Sequence, residues 1–194
     1  MKALFIKILL LLLAINSYAQ YEWFGNNSAP AFLDRPNPPN SYSLVPILIS
    51  DSSAAPILIT AVSQLAGGYE KWKAFDSDTT TLGSVWATNG TCTSGWIKVD
   101  FGASITKVVI SYAIIGRGQG LGVDFKTWTF AGSNDNSVWI TLDQQTNVPV
   151  WSNLERRQYN VANTAAYRYY KWYTISSACG SPYIECEQLR LYGY

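Results

Sequence analysis

The stretch Gly95-Trp96-Ile97-Lys98-Val99-Asp100-Phe101-Gly102 decides the fold. Ile97, Val99 and Phe101 alternate with Trp96, Lys98 and Asp100, the period of a strand with one dry face and one wetter face. Glycines close it at both ends, where a chain must turn or approach a neighbour closely. A second strand-like run follows at 107–115, so the pair reads as neighbours in one sheet. The same format recurs at 125–131, 139–144, 156–161, 167–176 and 183–192, with a turn signature at Gly132-Ser133-Asn134-Asp135-Asn136-Ser137. Many short strands at this spacing predict an all-β, jelly-roll β-sandwich. Function on such a scaffold sits in loops.

Upstream lie two near-copies, Val45-Pro46-Ile47-Leu48-Ile49-Ser50 and Ala55-Pro56-Ile57-Leu58-Ile59-Thr60. Each opens near a Pro and continues aliphatic, which suits strands near a sheet edge. A short helix or irregular turn fits residues 69–75. Residues 20–44 are rich in Asn, Pro and Ser and read as an extended N-terminal arm or linker. Tyr21, Trp23, Phe24, Phe32 and Leu33 give that arm apolar groups to dock on its own domain or on a partner. Ahead of it, Lys2 and Lys7 flank or interrupt an apolar run that reaches Ile15, and Asn16-Ser17-Tyr18-Ala19 supplies a small-residue junction. Residues 1–19 are expected to be a secretory signal peptide, and the chain to be secreted. The run falls short of the roughly 20 residues that span a bilayer. No later run is long enough either, so no transmembrane segment is expected. The domain proper is 45–194.

Composition excludes several function classes. The formal net charge is +1 and only 14% of residues are charged, so there is no nucleic-acid footprint. The chain has no histidine, which removes Ser-His-Asp and Cys-His catalysis and His-ligated metals. The acids are few and fall mostly in turns or at strand ends, a poor fit to a glycosidase pair. An enzyme is not expected. Eight Trp and thirteen Tyr suit both a core and an extracellular recognition surface. Of three cysteines, Cys179 and Cys186 could clip the loop between them, although neighbours in a hairpin often miss the required geometry. Cys92 with Cys179 would close a much longer loop and favour stability more. The second pairing is preferred, and both are compatible with the sequence.

Several motifs carry a family likeness. Lys73-Ala74-Phe75-Asp76-Ser77-Asp78, Trp86 and the 95–102 stretch resemble the opening half of the discoidin, or coagulation-factor type C, family. Trp128-Thr129-Phe130-Ala131-Gly132-Ser133-Asn134-Asp135, Trp139 and Leu142 resemble its middle. Arg156-Arg157-Gln158-Tyr159, Tyr167-Arg168-Tyr169-Tyr170-Lys171 and Leu189-Arg190-Leu191-Tyr192-Gly193 resemble its close. The resemblance implies the galactose-binding-like jelly roll, shared by family 32 carbohydrate-binding modules, fucose-binding lectins and lipid- or collagen-binding discoidin domains. Fold alone does not fix function among them.

Two candidate sites follow. The loop Asp76-Ser77-Asp78-Thr79-Thr80-Thr81 offers the oxygen-only ligands that Ca²⁺ prefers, or else an Asx-turn that needs no metal. The resemblance implies a structural calcium held by Asp76, the main-chain oxygens of Ala74, Asp78 and Thr81, and the residue at Gln188. Relatives usually carry Glu there, and Glu187 is one residue off and should face the other way. The second site is glycan-binding. The resemblance points to Arg117, whose guanidinium fork suits vicinal hydroxyls. Tyr69, Trp72, Trp86 and Tyr183 lie in loops expected at the same end of the sandwich, where an exposed ring would stack on a sugar. Trp72 and Trp86 match positions that are more often structural. Asn89 could bind through its amide, but Asn89-Gly90-Thr91 is also a glycosylation sequon, like Asn26-Asn27-Ser28. Arg156, Arg157 and Arg168 read as strand-face cations pairing with nearby acids.

The expected function is a secreted, non-catalytic module that recognises a cell-surface or matrix glycan. The alternative is a structural subunit of an extracellular fibre, matrix or surface layer, self-associating through residues 20–44. Phospholipid or receptor binding by the same loops has only Leu121 and Val123 behind it.

Overall fold

Ten strands build the described part of the chain, residues 42–80 and 84–194 of the computed structural model. In chain order they are β1 (Leu58–Ala61), β2 (Trp86–Ala87), β3 (Gly95–Asp100), β4 (Val109–Ile115), β5 (Thr127–Ser133), β6 (Ile140–Gln145), β7 (Arg156–Asn160), β8 (Tyr169–Ser176), β9 (Glu185–Cys186) and β10 (Gln188–Gly193). A 3-10 helix, Lys71–Phe75, falls where a turn is expected. The strands form a five-stranded sheet in the order β1-β3-β8-β5-β6, a three-stranded sheet β10-β4-β7 and a two-stranded ribbon β2-β9. All these pairings are antiparallel. The all-β jelly-roll sandwich is the observed architecture. The leader, nearly all of the 20–44 arm and any self-association through it lie outside the described residues.

The two larger sheets meet through aromatic rings. Tyr112 of β4 sits 4.5 Å from Phe130 of β5 and 5.8 Å from Trp172 of β8, centroid to centroid. Its phenol accepts a 2.8 Å hydrogen bond from Trp128 Nε1 and donates to Asp143 of β6. A large ring with a satisfied polar end can be buried without an orphaned group. In β3 the burial alternates as the pattern requires, with Gly95, Ile97 and Val99 inside. Both flanking glycines are close approaches. A Cβ on Gly95 would lie 2.6 Å from Ile184 Cδ1, and Gly102, at φ +100°, abuts Pro56.

Three expectations are corrected. Residues 95–101 and 107–115 are not neighbours: β3 pairs with β1 and β8, whereas β4 pairs with β10 and β7 in the other layer. Alternation reveals which face is dry but not which strand lies alongside. The 183–192 run breaks at Glu187 into β9 and β10, which join different sheets. The 45–50 run is no strand. Val45 and Leu48, three apart, are buried while Ile47 and Ile49 are exposed, and Leu48 N–H bonds Phe75 O instead of a ladder. Its near-copy supplies only β1.

Candidate functional site

Strand register gathers the loops. Ile115 at the end of β4 faces Arg156 and Gln188 at the starts of β7 and β10. Thr127 faces Ser176, Trp128 faces Gln145, Gly95 faces Ile175, and Ala61 faces Ile97. The connections 62–70, 88–94, 116–126, 146–155 and 177–184 therefore leave the sandwich at one end, as expected. A disulfide ties two of them: Cys92 bonds Cys179, with Cα atoms 5.4 Å apart, and Cys186 is a buried free thiol.

The β2-β9 ribbon organises this end. Trp86 faces Cys186 and Ala87 faces Glu185. The pairing continues one step, through Thr88 N–H to Ile184 O (2.9 Å) and Ile184 N–H to Thr88 Oγ1 (2.8 Å), and Asn89 and Tyr183 are the next residues of the two segments. Glu185 bonds Arg117 Nη1 from the neighbouring loop. Burial alone would lower the Arg117 pKa, but the Glu185 hydrogen bond and charge raise it, and Tyr69 and Glu187 add to the effect. Tyr69 is thus near the same guanidinium. Asn89 is exposed and Tyr69 and Tyr183 are half-buried.

The remaining candidates separate. Trp86 is 0% exposed, with its Nε1 donating to Ser63 O and its ring edge-on to Phe125, so it is core and is removed from the rim. Trp72 is half-buried against the core, 5.8 Å from Lys73 Nζ. Arg157 pairs with Glu155 and Arg168 with Asp100, as read from sequence. Arg156 donates to Gln158 and Tyr192.

Sequence reasoning missed three buried acids around Arg117. Asp124 accepts hydrogen bonds from the backbone N–H groups of Arg117 and Gly118, yet burial pushes its pKa up to about 6. Glu187 is fully buried, and neither oxygen has a hydrogen-bond partner among the described residues. Burial, with Asp76, Asp78 and Asp124 nearby, pushes it up to about 7 against the pull of Arg117. The legible signal was two acids close together inside an apolar run, Ile184-Glu185-Cys186-Glu187. Asp124 also lines a cleft of about 90 Å³ with Gly118, Phe125, Val148, Val150 and Trp151.

Calcium takes six to eight oxygens at about 2.3–2.6 Å, and the Asp76 loop arranges its oxygens differently. Gln188 reaches it, but through its nitrogen: Nε2 donates to Asp76 Oδ1 (2.6 Å), Lys73 O (3.0 Å) and Asp78 O (3.2 Å). Asp76 Oδ2 accepts from Ser84, and Asp78 Oδ1 from Thr80. Ala74 is buried, but the carbonyl that meets Gln188 is that of Lys73, and Thr81 lies outside the described residues. Neither Glu187 oxygen accepts a hydrogen bond from the loop, although Asp76 and Asp78 lie close enough to raise its pKa. Among the described residues, no group of three or more His, Cys, Asp or Glu is placed to hold a metal ion. The donors among the described residues do not fit a calcium ion. Nor is any described helix long and apolar enough to cross a membrane.

The sequence model of the F5/8 type C domain matches residues 58–189. No curated protein sequence matches the chain. Among solved structures, the chain is similar to a family 32 carbohydrate-binding module from Clostridium perfringens in complex with GalNAc-β-1,3-galactose, at TM-score 0.57 and 13% identity over 71% of this chain and 95% of that one. A chitosan-binding module from a Paenibacillus chitosanase/glucanase matches at 0.53 and 21% identity, covering 70% and 93% of the two chains. A fucolectin from striped bass (Morone saxatilis) serum matches at 0.57 and 14% identity, covering 71% of this chain and 47% of that one.

Proposed function

Because the chain belongs to the F5/8 type C domain family, we propose that it is a non-catalytic carbohydrate-binding module that recognises a glycan with the loop end of its sandwich. The observation that carries this reading is the mouth of the ribbon, where Asn89 and Tyr183 follow its last paired residues and the Arg117–Glu185 pair and Tyr69 lie beside them. An exposed amide bonds hydroxyls, a tyrosine ring offers an apolar plane to a sugar face, and a fixed ion pair presents polar edges at its rim. The sugar-bound neighbour supports this choice of ligand class.

The site is shallow. Asn89 is exposed and Tyr69 and Tyr183 are half-buried, and the cleft of about 90 Å³ beside Asp124 is lined by other residues. A sugar would lie across the rim, each contact would be weak, and several copies would be needed for tight attachment. The Cys92–Cys179 disulfide supports a secreted protein, since such bonds persist in oxidising compartments. The absence of histidine from the chain supports the non-catalytic part.

The test is a glycan array with the purified chain, followed by titration of its best sugar against Asn89→Ala and Tyr183→Ala. Each variant is expected to lose about tenfold in affinity, equivalent to ~1.4 kcal/mol, with unchanged thermal stability. Silence across the array, or two variants that bind like the parent, would refute the reading.

A further inference from the structure

We propose that this chain closes its Asp76 loop with the Gln188 amide in place of a divalent cation, so that the loop holds its shape without metal. The inference stands on the direction of one side chain. Gln188 is fully buried, and its NH₂ group lies among Asp76 Oδ1, Lys73 O and Asp78 O, at 2.6, 3.0 and 3.2 Å. Two N–H bonds shared among three acceptors account for the whole group. Its Oε1 accepts the Ser77 N–H at 2.9 Å. A cation collecting the same three oxygens would have to stand where that nitrogen stands.

Turning the amide over does not rescue a metal site. Oε1 would then face the three oxygens, but the NH₂ would meet the Ser77 N–H, donor against donor, in a buried place. The network specifies the orientation, with every donor and acceptor of the amide matched. Charge argues the same way. Calcium affinity follows the number of charged ligands, and Gln188 brings none. Asp76 is meanwhile committed to Asp78 N–H (2.8 Å) and the Ser84 hydroxyl.

The amide also has a structural task that a cation would otherwise perform. It joins the first residue of β10 to a loop 110–115 positions earlier in the chain, just upstream of β2 and the ribbon. The loop end of the sandwich is thereby braced from within the protein.

The test uses the full chain and calcium alone, without any sugar, so its outcome is separate from that of the glycan reading. Thermal unfolding of the parent in EDTA and in excess CaCl₂ is expected to agree within about 1 °C, with no calcium binding by calorimetry. Gln188→Glu sets a carboxylate against Asp76 in place of two N–H donors. It is expected to unfold earlier in EDTA and to recover by ~5 °C or more at a hundredfold excess of calcium over its Kd. A Gln188→Glu protein recovered folded only from calcium buffer supports the proposal equally. A parent that binds calcium or gains stability from it overturns the proposal. So does a folded Gln188→Glu variant that neither weakens in EDTA nor responds to the ion. Should that variant never fold, the parent's own calcium response decides alone.

Discussion

The guanidinium carbon of Arg157 lies 4.0 Å from the centre of the Trp151 ring, and its N–H groups make four hydrogen bonds. Nε and Nη2 grip Glu155 at 2.7 and 2.8 Å, while Nη1 and Nη2 cap the carbonyls of Pro149 and Val150, each at 2.8 Å. Only a planar fork satisfies these four acceptors at once. Trp151 in turn donates from Nε1 to Phe125 O at 2.7 Å, which pins the 146–155 loop to its neighbour.

Replacing Arg157 with Met would take its counter-charge from Glu155, leaving that carboxylate the Ser152 N–H, and would remove the donors that cap two carbonyls, in a site where the arginine is 4% exposed. The expected cost is about 3 kcal/mol or more, read as a lower urea midpoint at unchanged m-value. Arg157→Lys should fall between, keeping the charge but losing the fork. A loss under about 1 kcal/mol for the Met variant would place the arginine among ordinary surface cations.

Stability should decline from mildly acidic to neutral pH. Glu187 and Asp124 carry folded pKa values of about 7 and about 6, raised above their ordinary values of 4.5 and 3.8. The folded chain therefore holds protons that the unfolded chain releases. The stabilisation is complete below about pH 4, drains away as pH rises through 6 to 7, and amounts to roughly 3 kcal/mol for each group. Asp100, Glu155 and Asp135, all lowered, work in the opposite sense only at more acid pH. Glu187→Gln should remove about half of the decline in stability between pH 4.5 and 7.5, leaving the share that Asp124 supplies. A parent curve that climbs steadily over that interval would contradict the burial assigned to Glu187.

The Cys92–Cys179 bond spans 87 positions. Replacing both cysteines with Ser is expected to cost about 3–5 kcal/mol, on the chain-entropy account. Cys186 is wholly buried, and burial raises its thiol pKa well above the ordinary value. A thiol reagent should label nothing in the folded chain and one site per chain after unfolding without reductant. Fast labelling of the native protein would mean that this strand opens readily.

Tyr112→Phe removes one hydroxyl from the centre of the sandwich. Trp128 Nε1 loses its acceptor and Asp143 a donor, for an expected loss of about 1–3 kcal/mol. Asp143→Asn should recover part of that loss in the double variant, because a neutral amide is cheaper to leave unpaired than a charge. Additive losses would show that the two residues act independently.

Much of this protein is written locally. Alternation in Gly95-Trp96-Ile97-Lys98-Val99-Asp100 states a half-buried strand, and its bounding glycines state close approaches, because side-chain period and missing Cβ atoms need no distant partner to act. The spacing of turns stated the sandwich and the gathering of loops. Residue type alone removed histidine chemistry, and the family resemblance singled out Gln188.

Partnership was decided by the tertiary structure. Nothing local says that β3 and β4 lie in different layers, or that 45–50 packs by threes while its near-copy makes a strand. The register of β3 on β8 brings Gly95 to Ile175, and with it Cys92 to Cys179. Trp86 faces inward because its ribbon lies over Phe125. The carboxylates of Asp124, Glu185 and Glu187 converge on Arg117 only once three loops meet. The Gln188 amide directs its nitrogen into the Asp76 loop because Ser77 N–H claims its oxygen. Periodicity sorts side chains by face, but which atoms share a buried space, and hence which charges and hydrogen bonds must be settled there, depends on pairings far apart in the chain.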